Sequence, residues 1–340
     1  MSIIGAWGFE GQDLTRDGFV LTTGVKPTYS VTLPPLGAST RSLNFGTSIP
    51  GGSLRLPVSP ASTDFWMHGN FMFGGNNSLN DSFEFGWFGG GVLAGWITRQ
   101  DITNLLQIVV DGVVVATSVV AVPLDAWKRL HVHVDYQNSA AGFVRVYQDG
   151  DTVTPMVAFT GNTNPSAYGA IVGIRLRGYN MNVDDIVVLD PNDGVAPTDV
   201  DDIAFTSIGL RVPNVDGTDT GFTATPGTGS DYEDIDEVPN SDAEFLRATA
   251  ASVASTFGFE DATLGRPLAV KVKVRTVRSG TTAGVNIAVR QRLGPTVVDT
   301  ADRPCPGDGD VHQIFNTDAN GAAWTSTAFD NSEFGVVSKT

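Results

Sequence analysis

Leu106-Gln107-Ile108-Val109-Val110-Asp111-Gly112-Val113-Val114-Val115-Ala116 is the stretch on which the fold turns. Two runs of aliphatic, largely β-branched residues flank a single Asp-Gly pair. A type I′ hairpin turn needs positive φ at both central positions, which Asp-Gly tolerates. The same region, Leu105 to Leu124, is apolar enough to suggest a membrane span. Gln107, Asp111, Gly112 and Pro123 interrupt it, and the hairpin reading takes precedence.

Outward from this hairpin the period stays at two. Leu130, Val132, Val134 and Tyr136 alternate with Arg129, His131, His133 and Asp135, which predicts a half-buried strand with a polar solvent face. A turn over Asn138 to Gly142 leads into a return strand carrying Phe143, Val144, Val146 and Tyr147. Ile171 to Leu176 and Ile186 to Leu189 read as further strands. Short strands with frequent turns predict a β-sandwich, and no helix is expected in this half. In the second half Leu268 to Val277, Val285 to Val289, Val311 to Phe315 and Phe334 to Ser338 carry strand signals. Ser241-Asp242-Ala243-Glu244, followed by Phe245 to Ala254, has capping-box spacing, so a short helix competes there with an edge strand.

Composition agrees with an all-β chain. The 340 residues include 39 Gly and 18 Pro, with 41% hydrophobic and 17% charged residues. That length predicts two domains and that apolar fraction supports real cores. Asp190-Pro191-Asn192-Asp193-Gly194-Val195-Ala196-Pro197 reads as a linker. The expected organisation is residues 1–190, a linker over 191–197, and a smaller β-domain over 198–340. A formal charge of −16 disfavours nucleic acid and anionic membrane as partners. Met1 to Trp7 has neither a basic segment nor a long apolar core, so no signal peptide is expected. Cys305 is the sole cysteine, in the loop Arg303 to Gly307, and reads as a bystander thiol despite His312 nearby.

Trp127 to Asp135, with the preceding hairpin and with Gly142 to Gly150 ending in Asp149-Gly150, resembles the concanavalin A-like jelly roll of laminin-G and pentraxin type. The closing Asp184-Asp185-Ile186-Val187-Val188-Leu189 resembles the last strand of such modules. The resemblance covers about residues 1–190. Gly209 to Gly217, Asp236 to Pro239, Gly321 to Thr325 and Glu333 to Val336 look like the C-terminal half of tailed-bacteriophage structural proteins. Together these resemblances imply a non-catalytic virion subunit, on a tail or head appendage. They imply other virion proteins as partners, with localisation to the virion. Appendage symmetry leads to the expectation of a homo-oligomer. The alternative is a virion-borne carbohydrate-binding module that recognises host surface glycans.

A glycoside hydrolase needs two carboxyls flanking one bond. The single lookalike, Glu233-Asp234-Ile235-Asp236-Glu237, reads as a solvated acidic loop. His131 and His133 share a strand face and could supply half of a transition-metal site, but with no third ligand at sensible spacing the polar solvent face of a strand is the preferred reading. Asp199, Asp201 and Asp202, or Asp308 and Asp310, are loop acids without the EF-hand pattern. Phe83, Phe85 and Trp87 alternate and read as core. The alternative reading of these three is a glycan platform, with Phe88 and Trp96 nearby and Asn76, Asn77, Asn80 and Asp81 just upstream. Trp127 reads as a core anchor, and Gly89-Gly90-Gly91 as a turn. Lys271, Lys273 and Arg275 form a basic stripe whose expected complement is Asp231, Glu233, Asp234, Asp236 and Glu237. No catalytic, cofactor-binding or metal-ligating residue is assigned, no cofactor is expected, and the chain is expected not to be an enzyme.

Overall fold

The computed structural model describes residues 2–7, 20–23, 28–30, 42–45, 53–74, 83–100, 102–149, 151, 153–191, 211–225, 227, 229–236, 244–260, 267–277, 286–305 and 308–339. The chain divides into two compact units, Met1–Gly209 and Leu210–Thr340. The expected linker lies outside the described residues beyond Pro191.

The first unit is a sandwich of two antiparallel sheets. One contains β1 (Ser2–Trp7), β3 (Thr28–Ser30), β4 (Ser42–Phe45), β6 (Asp64–Phe73), β11 (Trp127–Asp135), β12 (Phe143–Gln148), β13 (Val157–Thr160) and β15 (Met181–Asp190). Its order is β13-β12-β11-β6-β15-β4-β3, with β1 also on β15. The other contains β2 (Val20–Thr23), β5 (Ser53–Leu56), β7 (Phe83–Gly89), β8 (Val92–Arg99), β9 (Leu105–Val110), β10 (Val113–Ala121) and β14 (Ile171–Gly178). Its order is β10-β9-β8-β7-β14-β5-β2.

The β9–β10 hairpin forms as expected. Asp111 and Gly112 have φ of 49° and 77°, the left-handed pair that the turn requires. The core lies between the sheets. Phe83, Phe85 and Trp87 are fully buried there, with Phe65 and Phe71 facing them from β6. Trp87 meets Phe65 edge-on at 6.4 Å, and Phe71 meets Phe83 in the same way at 4.9 Å. Parity then places the alternate residues of β6 and β11 on the outward face. Trp127 belongs to that outward set. It is half-buried there and is not the core anchor that the sequence suggested.

The second unit has a sheet ordered β16 (Pro213–Thr220), β19 (Ala254–Phe259), β25 (Ser332–Lys339), β21 (Asn286–Leu293), β22 (Thr296–Asp299), with β23 (Arg303–Pro304) also on β21. Two further pairs complete it: β17 (Thr223–Thr225) with β18 (Phe245–Arg247), and β20 (Val270–Val277) with β24 (Asp308–Phe315). The Phe245 segment is therefore an edge strand; Ser241 to Ala243 lie outside the described residues. A five-residue helix, α1 (Ser326–Asp330), was not expected. Its N-cap Thr325 accepts a bond from the Ala328 amide. Among the described residues no helix is long and apolar enough to cross a membrane.

A buried imidazole band and a loop-end cleft

Leu130, Val132 and Val134 occupy the inner face of β11, so Arg129, His131 and His133 project outward with Trp66, His68 and Asn70 of β6 beside them. The sequence predicts a solvent face here, and the structure corrects that. His131 is fully buried, His68 is 2% exposed and Arg129 is 7% exposed. Alternation reports only which residues share a side, and both sides of this strand are covered.

The two imidazoles meet through their Nδ1 atoms, so one donates and the other accepts. Both Nε2 atoms are buried without a hydrogen-bond partner among the described residues. Burial, then the neighbouring His131, Arg129 and His133, hold His68 well below its ordinary pKa. Burial and Arg129 bring His131 down to about 4, against a weaker upward pull from Asp149. Both rings are neutral at pH 7. Arg129 continues the band through Nε to Asn70 Oδ1 at 2.9 Å, and Asn70 donates to Asp185 at 2.8 Å. Trp66 stacks on His133 at 3.9 Å and on Tyr147 at 5.7 Å. His133 Nε2 reaches Asp64 Oδ1 at 2.6 Å at the more open end of the band. The expected half metal site is thus a pair, but of His131 with His68 rather than with His133. Among the described residues no three His, Cys, Asp or Glu side chains gather to hold a metal ion.

Where β11 ends, Tyr136 and Gln137 enter an open cleft of about 570 Å³ lined also by Asn138, Ser139, Asn164 and Tyr168. The rim is built by loop hydrogen bonds. Tyr168 donates to Asp111 at 2.6 Å, Ser166 donates to the same carboxylate, and the Asn164 side chain clasps the Tyr168 backbone at 2.8 and 3.0 Å. Asn162 donates to Asn138 at 3.0 Å, and the Gln137 amide is anchored on Asp135 at 2.6 Å. The Tyr136 hydroxyl lies against Gly89, where any Cβ would collide with it. It is buried without a partner among the described residues, and burial pushes its pKa up to about 12. It therefore remains protonated, a donor with no acceptor among the described residues. Nothing in the spacing of Tyr136, Gln137, Asn138, Asn164 and Tyr168 announced this cleft, because three separate turns assemble it.

The other expected residues are dispersed. Asn76, Asn77, Asn80, Asp81, Asp199, Asp201, Asp202 and Glu237 lie outside the described residues. Of the acidic run expected as a solvated loop, Glu233 and Asp234 end a 3-10 turn over Asp231–Asp234; Glu233 is exposed, whereas Asp234 is only 1% exposed. Asp216 accepts from the Asp231 and Tyr232 amides at 3.2 and 2.8 Å and pins that turn. In the basic stripe Lys273 meets Asp310 on the neighbouring strand at 3.3 Å, a closer complement than the expected acidic run. Cys305 packs on the apolar cluster of the second unit.

These features define a concanavalin A-like, jelly-roll β-sandwich with a polar band on one outward face and a cleft at one end. No family model and no curated protein sequence matches the chain. Solved structures of similar fold include domain 4 of an extracellular GH43 arabinanase from Geobacillus stearothermophilus in complex with arabinotriose. It is 17% identical, covers 59% of this chain and 98% of its own, and has a TM-score of 0.39. A PL-14 alginate lyase from Aplysia kurodai is 10% identical over 56% of this chain and all of its own, with a TM-score of 0.42. The exoplasmic domain of VIP36 with calcium and mannose bound is 11% identical over 57% of this chain and 91% of its own, at 0.35. The solved structures of similar fold overturn the expectation that the chain is not an enzyme. They include an arabinanase domain and polysaccharide lyases.

Proposed function

We propose that the chain is a carbohydrate-binding β-sandwich whose saccharide seat is the loop-end cleft. The observation that carries this reading is an open cleft lined by Tyr136, Gln137, Asn138, Ser139, Asn164 and Tyr168, side chains that carry amides and hydroxyls. Saccharide hydroxyls are donors and acceptors at once, and side-chain amides and hydroxyls are their natural complements. Tyr168 adds an aromatic body for sugar C–H faces. The rim favours neutral sugars, since Gln137 and Tyr168 already engage Asp135 and Asp111. In the virion setting that the C-terminal motifs resemble, the ligand is a host surface glycan.

A panel of neutral oligosaccharides checks the reading. Binding should be weakened about tenfold by Tyr136→Phe and by Asn138→Ala, with the thermal transition unchanged. Absence of any saccharide ligand, or binding indifferent to both substitutions, overturns it. Proteomic detection of the chain in purified particles tests the virion setting separately.

A further inference from the structure

On the outward face of the seven-stranded sheet, one row of register partners reads Arg55, Arg175, Gly86, Trp96 and Val109, from β5 across β14, β7 and β8 to β9. Gly86 gives this row a low point. A Cβ there would stand 2.6 Å from the Gly95 carbonyl oxygen and 2.7 Å from Trp96 Cβ, so the Trp96 stem leans over the glycine. Two residues away on either side of Gly86 along β7 stand Glu84 and Phe88. The Glu84 carboxylate divides itself, with Oε1 at 2.6 Å from Arg177 and Oε2 at 3.1 Å from Arg175. The Arg55 guanidinium lies over the Phe88 ring at 4.7 Å. Trp96 and Phe88 are both half-buried, leaving part of each ring open.

Among the described residues, three guanidiniums against one carboxylate leave a local charge of +2 in a chain of −16. Arg175 is partly desolvated. Burial lowers its pKa, Glu84 opposes that, and Arg177 adds to it. A shared carboxylate compensates this pair of cations incompletely, and a second anion would complete the compensation. The planar guanidinium fork matches a carboxylate, and an open indole beside it matches a sugar ring. The cationic patch is small, and the net charge of the chain repels long polyanions at a distance. Recognition here is therefore a short-range contact.

We propose that this face is a second binding site, separate from the loop-end cleft, for a saccharide bearing a carboxylate. Its ring lies on Trp96 and its carboxylate sits on Arg175 and Arg177. Glu84 then acts as an internal competitor that holds the two arginines in place when the site is empty.

Calorimetric titration of the full chain with tetragalacturonate and with its neutral methyl ester tests the proposal. The acid should bind at least about tenfold more tightly than the ester, and raising the salt should narrow the gap. Arg177→Gln and Trp96→Phe should each weaken the acid several-fold. Glu84→Gln should tighten it about three- to tenfold by freeing both forks, an effect that a purely structural Glu84 would not produce. Tyr136→Phe, in the cleft, should leave acid binding untouched even where it weakens neutral sugars. The proposal is overturned by equal binding of acid and ester, or by an unchanged or weaker Glu84→Gln complex. It is equally overturned if oligothymidylate binds as tightly as the uronate, or if Tyr136→Phe removes uronate binding.

Discussion

In the unit ending at Gly209, Phe65, Phe71, Phe83, Phe85 and Trp87 are sealed between two sheets. In the unit beginning at Leu210, a smaller cluster around Trp324, Phe334 and Phe315 works alongside an ion-pair network. Arg290 there meets Asp299 at 2.7 Å and Asp219 at 3.0 Å, Arg292 meets Asp219 at 2.9 Å, and Lys339 meets Asp299 at 3.3 Å. The hydrogen bond that Arg290 donates to Asp299 comes first among the causes that hold Arg290 above its ordinary pKa, with burial opposing. One unit is held mainly by apolar burial with neutral imidazoles beside it, the other by a modest core with paired charges. The two should fail under different stresses.

The largest separation should come from the core. Phe85→Ala removes a ring with no exposed surface and should destabilise the first unit by roughly 3–5 kcal/mol. Trp324 is the sole tryptophan after residue 209, so its fluorescence reports the second unit. An equal loss at Trp324 would mean that the units unfold as one, and the comparison would collapse.

Acid should come next. His131 is neutral when folded and protonates in the unfolded chain near 6.5. The unfolded state therefore binds more protons between that value and about 4, and stability falls as pH drops through this window. The loss from His131 amounts to roughly 3 kcal/mol at about 1.4 kcal/mol per unit. His131→Gln should flatten the profile in urea titrations between pH 7 and 4.5. In the second unit Asp219, Asp299 and Glu333 are held below their ordinary values, Asp299 chiefly by the Arg290 bond. Their contribution persists above the normal carboxylate range and is lost only below it. A Trp324 transition that softens already at pH 6 would contradict this division.

Arg290→Gln should cost the second unit about 1–2 kcal/mol, less than a buried pair would, because its partners are about a fifth to a quarter exposed. Added salt should weaken the wild-type unit and leave the variant nearly indifferent. The smallest effect belongs to the hairpin. Gly112→Ala places a side chain at φ of 77° and should cost about 1 kcal/mol, read as a shift in the first unit's transition alone.

Much of the first unit was legible before the structure. The Asp111-Gly112 turn, the alternation of Leu130, Val132 and Val134, and the core face of Phe83, Phe85 and Trp87 are local patterns. Local sterics and period-two geometry fix them. The errors share one cause. His131 and Arg129 read as solvent-facing, and Trp127 read as core, because periodicity assigns residues to sides and says nothing about what covers a side. The helix Ser326–Asp330 was missed because five residues are too few for a 3.6-residue period to show.

The site residues mark the same boundary. Phe88 and Trp96 were recognisable as aromatics near a core strand. Their grouping with Arg55, Arg175 and Arg177 depends on long-range strand pairing, with Arg175 opposite Gly86, 89 residues away, and opposite Arg55, 120 residues away. The cleft joins turns near Gln137 and Asn164, and the imidazole pair joins His68 to His131. The amino-acid order by itself determined the strands, their turns and the all-β class, since backbone sterics and side-chain alternation act over a few residues. The partners across the sheets, the covered faces and the convergence of distant polar groups were decided only by the tertiary structure, because register and layer packing are long-range contacts that local pattern does not encode.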